Sequence, residues 1–169
     1  MTDRNVTEQR RTLGALLRLP YEALAERVYG GLAARGFGDI RVAHSAVFRH
    51  IAPAGSRVTE LAERARMTKQ SMAYLVESLA EGGYVAVGPD PADGRARLVR
   101  LTARGQRVLA ALLALSEEAE ADLAARIGQG KMTTLKAILD ELVDGLEAAP
   151  FQPPRGRAKR QAPPGGMPE

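Results

Sequence analysis

Two short stretches hold the side chains with the most chemistry to offer: Thr68-Lys69-Gln70-Ser71-Met72-Ala73-Tyr74 and Asp93-Gly94-Arg95-Ala96-Arg97. The first joins a carboxamide, an ammonium group, two hydroxyls and a phenol around the small Ala73. Glutamine pairs bidentately with an adenine edge, lysine meets phosphate or guanine, and small Ser and Ala permit close approach. Tyr74 adds a hydroxyl for phosphate or base. The second stretch sets two guanidinium groups on a turn, and arginine is drawn to the negative potential of narrow A·T-rich minor grooves. Asp93 stands where it could hold one arginine by a charge-assisted hydrogen bond. Singly, the first reads equally well as an ordinary solvated helix face, and the second is more commonly a charged, solvated turn; in combination and in this order they point to contact with duplex DNA.

Other chemistries find little support. The 169-residue chain has no Cys, so disulfides, thiolate metal sites and cysteine nucleophiles are excluded. His44 and His50 are the only histidines, and their spacing does not place them on one helical face, so no metal is expected. Asp90 and Asp93 share a loop, but the acids are too few for a calcium loop and no Glu closes it. Phosphate-binding glycine loops, nucleophile elbows and zinc-protease motifs are missing, and neither enzyme activity nor a cofactor is expected. There is no apolar run long enough for a membrane span, and the polar start lacks the apolar core of a secretion signal. A cytoplasmic location without membrane contact is expected. The net charge of +4 owes most to Arg155, Arg157, Lys159 and Arg160, so local placement, not the overall balance, must support a nucleic-acid partner.

The elements that would carry these residues follow from periodicity. Apolar residues recur at helical spacing from 7 to 35, where Pro20 predicts a kink or a short helix followed by a longer one. A helix over 41–51 comes next. Thr59 reads as the cap of one short helix and Thr68 as the cap of another over 69–81, stopped by Gly82-Gly83. With only Arg66-Met67 and Thr68 between them, the two must cross steeply, as in a helix-turn-helix. Within the second, Met72, Leu75, Val76 and Leu79 form one apolar face, leaving Gln70, Ala73, Tyr74 and Glu77 opposite. Strands are predicted at 84–87 and 97–101. Between them, 88–96 reads as a projecting flap whose prolines stay out of the ladder. Thr102 should cap a long helix to about Ile127, Gly128 and Gly130 break it, and a last helix runs from Met132 to about Leu146. The Pro-, Gly- and Arg-rich 150–169 is expected to be a disordered basic tail.

This order of helix, tight turn, helix, strand, loop and strand is the winged helix. The sequence resembles the multiple-antibiotic-resistance regulator (MarR) family from about Leu13 to Leu146. The resemblance is densest in Val58-Thr59-Glu60-Leu61-Ala62-Glu63, Met67-Thr68-Lys69-Gln70 and Leu79-Ala80-Glu81-Gly82-Gly83-Tyr84-Val85. It continues through the wing signature Asp93-Gly94-Arg95, followed by Leu101-Thr102 and Gly105. It implies a mainly α fold with a small β wing, a single domain over 1–149. Dimerisation helices would lie at about 7–36 and 103–147, with a winged helix-turn-helix at about 40–101. It further implies a homodimer of intertwined terminal helices, a double-stranded DNA partner and, commonly, repression. The recognition helix would present Thr68, Lys69, Gln70, Ser71, Ala73 and Tyr74 to the major groove. Arg95, braced by Asp93 and accompanied by Arg97, would enter the minor groove. Tyr74 stands where many relatives carry Arg. A small aromatic effector is expected between the dimer helices and the DNA-binding lobe, with Tyr21, Tyr29, His44 and Phe48 as its candidate lining; core packing is the commoner role for each of the four. The alternative is a winged helix used for protein contacts, with nucleic acid bound non-specifically by the tail.

Overall fold

The computed structural model describes residues 11–149. Six α-helices and one two-stranded sheet follow in the order α1 Leu13–Ala34, a 3-10 turn Val42–His44, α2 Ser45–His50, α3 Val58–Arg64, α4 Lys69–Glu81, β1 Val85–Asp90, β2 Asp93–Leu101, α5 Ala103–Ile127 and α6 Gln129–Ala148. This is a mainly helical winged helix-turn-helix. It divides into two compact units, one ending at Arg126 and the other beginning at Ile127. The tail at 150–169 and the start of the N-terminal segment lie outside the described residues.

The core of the first unit gathers Leu32, Val47, Phe48, Leu61, Met72, Leu79, Val99, Val108 and Leu115, one or two residues from each of α1 to α5 and β2, together with Tyr84 just before β1. Burying each large apolar side chain contributes about 2 kcal/mol, so the apolar faces, rather than helix propensity, fix the packing of α3 and α4. Helix α1 begins on Thr12, whose hydroxyl accepts from the Ala15 amide. It runs unbroken through Pro20, so the division into two helices does not occur. Surrounding Leu, Ala, Glu and Arg favour helix strongly enough to offset the one hydrogen bond that proline removes. Helices α1 and α5 pack closely at Gly31, where an added Cβ would fall 2.3 Å from a Leu115 methyl group. Exposed pairs Arg27–Asp122 and Arg35–Glu118 flank that contact.

Four boundaries differ from expectation. The helix expected over 41–51 is the 3-10 turn followed by α2 from Ser45 to His50. Helix α3 starts at Val58, with Arg57 as its cap residue and the Glu60 carboxylate accepting from the Arg57 amide, so Thr59 lies inside the helix. Gly130 lies within α6, leaving Gly128, at φ +93°, as the break after α5. The wing differs most. Its strands pair from Val85 opposite Leu101 to Pro89 opposite Arg97, then, past a bulge, Asp90 opposite Asp93. Only Pro91 and Ala92 remain for the turn.

The ladder accommodates Pro89 for a geometric reason. Val99 exchanges both backbone hydrogen bonds with Ser56, on the side away from β1. Alternation along an antiparallel strand then puts Arg97, and Pro89 opposite it, at a position without ladder bonds. The missing N–H costs nothing there. Ser56 also roots the wing: it is fully buried, and its hydroxyl accepts from the Ala52 amide.

Candidate nucleic-acid interface

Helix α4 is oriented by its buried face. Met72, Leu75, Val76 and Leu79 are almost wholly buried, and the same helix leaves Thr68, Lys69, Gln70, Ser71, Ala73, Tyr74 and Glu77 exposed. Tyr74, at 69% exposure, is the most solvent-accessible of the large apolar or aromatic side chains described. An aromatic ring held in water by a rigid helix has not been placed there by core packing. The N-terminal turn is fixed by Thr68, whose hydroxyl accepts from the Ser71 amide at 3.1 Å and meets the Ser71 hydroxyl at 2.8 Å. One hydroxyl of the expected face is therefore engaged in capping as well as being exposed. The sharp turn before it uses Arg66 at φ +51°, a conformation uncommon outside glycine.

The wing carries the other group of candidates. Arg95 and Arg97 are exposed and Asp93 is half-buried. Arg97 donates to the Val87 carbonyl across the ladder at 3.2 Å. Asp93 does brace Arg95, but through the backbone: its Oδ1 accepts from the Arg95 amide at 3.1 Å. Its charge partner is Arg57, at 3.4 Å, not the guanidinium of Arg95. The Arg95 side chain is thus held at its base while its tip faces solvent.

Arg57 and Asp90 were not among the residues expected at the site. Arg57 donates to Asp90 Oδ2 from Nε at 3.0 Å and Nη2 at 2.6 Å. The Ala92 amide, first, and then the Arg57 guanidinium hold the Asp90 carboxyl below its ordinary range. Sequence spacing gave one signal, two acids flanking a proline turn, but their partner lies far away in sequence.

The four aromatic residues expected around an effector are not equivalent. Phe48 and His44 are buried, Tyr29 packs half-buried against the core, and Tyr21 is exposed. His44 Nδ1 accepts from the Arg41 amide at 3.1 Å. Burial, then the neighbouring Arg41, lowers its pKa, with Asp39 opposing. Burial raises the pKa of the Tyr29 phenol, while the Ser45 hydroxyl draws it the other way.

A second polar cluster ties the lobe to α5. The Tyr84 hydroxyl donates to Asp39 at 2.5 Å and accepts from Arg104 at 2.9 Å. The same guanidinium lies 4.7 Å from the Tyr84 ring centroid and 6.0 Å from that of Phe37. Among the described residues, no cluster of three or more acidic, His or Cys side chains is arranged to hold a metal ion. Nor is any described helix long and apolar enough to cross a membrane.

Comparison with known proteins places this geometry. A model of the MarR family matches residues 39–96. The transcriptional regulator HosA of Escherichia coli O111:H- is 33% identical over 90 residues, which span 53% of this chain and 67% of that protein. A probable transcriptional regulator from Pseudomonas aeruginosa superposes with a TM-score of 0.63 at 25% identity, covering 79% of this chain and 98% of that one. CouR shares the fold in two structures. One, a transcriptional repressor bound to a 23-mer DNA duplex, has 20% identity, a TM-score of 0.65 and coverage of 84% and 99%. The other, from Rhodococcus jostii RHA1 and bound to p-coumaroyl-CoA, has 23% identity, a TM-score of 0.63 and coverage of 85% and 96%. Fold, exposed helix face, wing and relatives agree: the chain belongs to the MarR family and is a DNA-binding transcriptional regulator.

Proposed function

We propose that the chain acts as a homodimeric repressor on a pseudo-palindromic operator, reading the major groove with α4 and the adjacent minor groove with Arg95. The observation that carries this reading is the division of α4 into an apolar face locked in the core and a polar face, with the whole N-terminal turn up to Ser71, left in solvent. Gln70 and Tyr74 lie one turn apart on that exposed side, with Lys69 beside them for phosphate. Glu77 and Glu81 crowd the other end, so only the N-terminal half meets the negatively charged duplex. In a two-fold dimer the half-sites lie about 34 Å apart. CouR, a repressor bound to a 23-mer DNA duplex, has this fold, which supports a duplex as the partner here.

A small aromatic ligand is the proposed inducer, by analogy with the p-coumaroyl-CoA held by CouR. Tyr21, Tyr29, His44 and Phe48 are the proposed lining. Binding there would shift the two recognition helices relative to each other and so lose the operator. A thermal-shift screen with aromatic acids and thioesters tests this, and a flat response across the panel counts against it.

The groove-binding reading is tested by titrating selected operator DNA at several salt concentrations. Arg95→Ala should weaken operator binding about tenfold to a hundredfold while changing affinity for unrelated duplex little. Removing 150–169 should cost only a sequence-independent, salt-sensitive component. The reverse pattern would favour a winged helix devoted to protein contacts, with nucleic acid bound by the tail.

A further inference from the structure

We propose that Arg57 is the positioning residue of the wing, fixing where Arg95 points without itself touching DNA. This rests on the reading that Arg95 contacts the duplex. Arg57 occupies the cap position of α3, where an oxygen-bearing side chain ordinarily satisfies the first amides. Glu60 reaches back to the Arg57 amide instead, and the Arg57 guanidinium turns away to the wing. It meets Asp90, the last residue of β1, and Asp93, the first of β2, so it grips both strands where they enter the turn.

The two carboxylates divide their oxygens in the same way. Oδ2 of each faces Arg57. Oδ1 of Asp90 accepts from the Ala92 amide at 2.9 Å, and Oδ1 of Asp93 accepts from the Arg95 amide at 3.1 Å. One guanidinium thereby orients two acids, and the acids orient one amide in the turn and one in β2, ending at the backbone of Arg95. A two-stranded ribbon has little order of its own, and a planar fork of donors is the side chain suited to holding two carboxylates at once. Lysine, a single point charge, is not.

The experiment pairs amide exchange with operator binding. In the DNA-free protein, Arg57→Gln should accelerate solvent exchange at the Ala92 and Arg95 amides, with Arg57→Lys intermediate. The Ser71 amide, capped by Thr68, should stay as protected as in the parent and so report an intact lobe. Operator affinity should fall roughly tenfold in Arg57→Gln through lost preorganisation, and the same change should cost nothing further in an Arg95→Ala background. Unchanged exchange at Ala92 and Arg95 would overturn the proposal whatever the DNA result. Equal losses in both backgrounds would also overturn it, by giving Arg57 a role independent of Arg95. If Arg95→Ala binds the operator like the parent, the wing reading itself fails, and the assigned role of Arg57 goes with it, even where the exchange data show a loosened turn.

Discussion

His44 accepts a backbone hydrogen bond through Nδ1, and an acceptor nitrogen must be unprotonated. Burial and Arg41 act in the same direction, so the folded pKa lies below the ordinary 6.5. The unfolded chain therefore binds the proton more readily. Stability from this residue is complete above the unfolded value and is lost as pH falls through the depressed folded value. His44→Asn keeps a comparably placed acceptor without a proton to gain. Melting temperatures measured from about pH 7 to pH 5 should decline less in that variant than in the parent. Parallel curves would assign the decline to other groups. The contrast with Asp93 shows what a sequence discloses at this scale. That Asp93 and Arg95 act together was legible from their spacing. Which atoms meet was not, because the nearest donor to a carboxylate two residues away on a tight turn is the backbone amide. Arg57, distant in sequence, then becomes the charge partner.

Helices with clear caps and a 3.6-residue period were readable almost to the residue. Thr68 caps α4, and α5 runs from just after Thr102 to Ile127. The extent of the wing is not legible from its prolines, because the compatibility of a proline with pairing depends on which alternate position it takes, and Pro89 takes one without ladder bonds. A related local rule fails productively at Gly105, in the first turn of α5. Its amide donates to Thr102 Oγ1, and Thr102 in turn bonds the Gly83 and Tyr84 carbonyls. An added Cβ would fall 2.0 Å from the Tyr84 carbonyl oxygen, a backbone atom that cannot swing aside. Helix propensity alone would make Gly105→Ala more stable by about 1 kcal/mol. Overpacking against fixed backbone costs about 1–3 kcal/mol, and the severity of this contact puts it at the upper end. Denaturant unfolding should therefore show Gly105→Ala to be less stable than the parent by about 1–2 kcal/mol. A gain would mean that the seam between wing and α5 is loose enough to yield.

At the scale of the whole molecule, two helices expose more apolar surface than a lone chain has reason to display. On α1, Leu13, Leu16, Leu17 and Tyr21 are each more than two-fifths exposed. On α6, Leu135, Ile138, Leu142, Val143 and Leu146 recur at helical spacing and are likewise exposed. Scattered apolar residues need no explanation, but ordered stripes on long helices are interaction surfaces, and a second chain is the covering that the proposed function calls for. The stripes could be read from the sequence as periodicity. Whether each faced its own core could not, since a core face and a partner face have the same pattern. The proposed dimer accounts for both stripes and makes a joint demand on assembly and function. Leu142→Glu puts a charge into the α6 stripe at a position already accessible in the single chain, so secondary structure should persist. Sedimentation should show the mass fall from dimer to monomer at micromolar concentration. Because linking two half-site contacts raises affinity about 10²- to 10⁴-fold, operator binding should drop at least a hundredfold, while binding to a single half-site changes little. A variant that still sediments as a dimer, or a monomer that holds the full operator as tightly as the parent, would separate the apolar stripes from the DNA-binding assembly and remove the two-fold operator from the proposal.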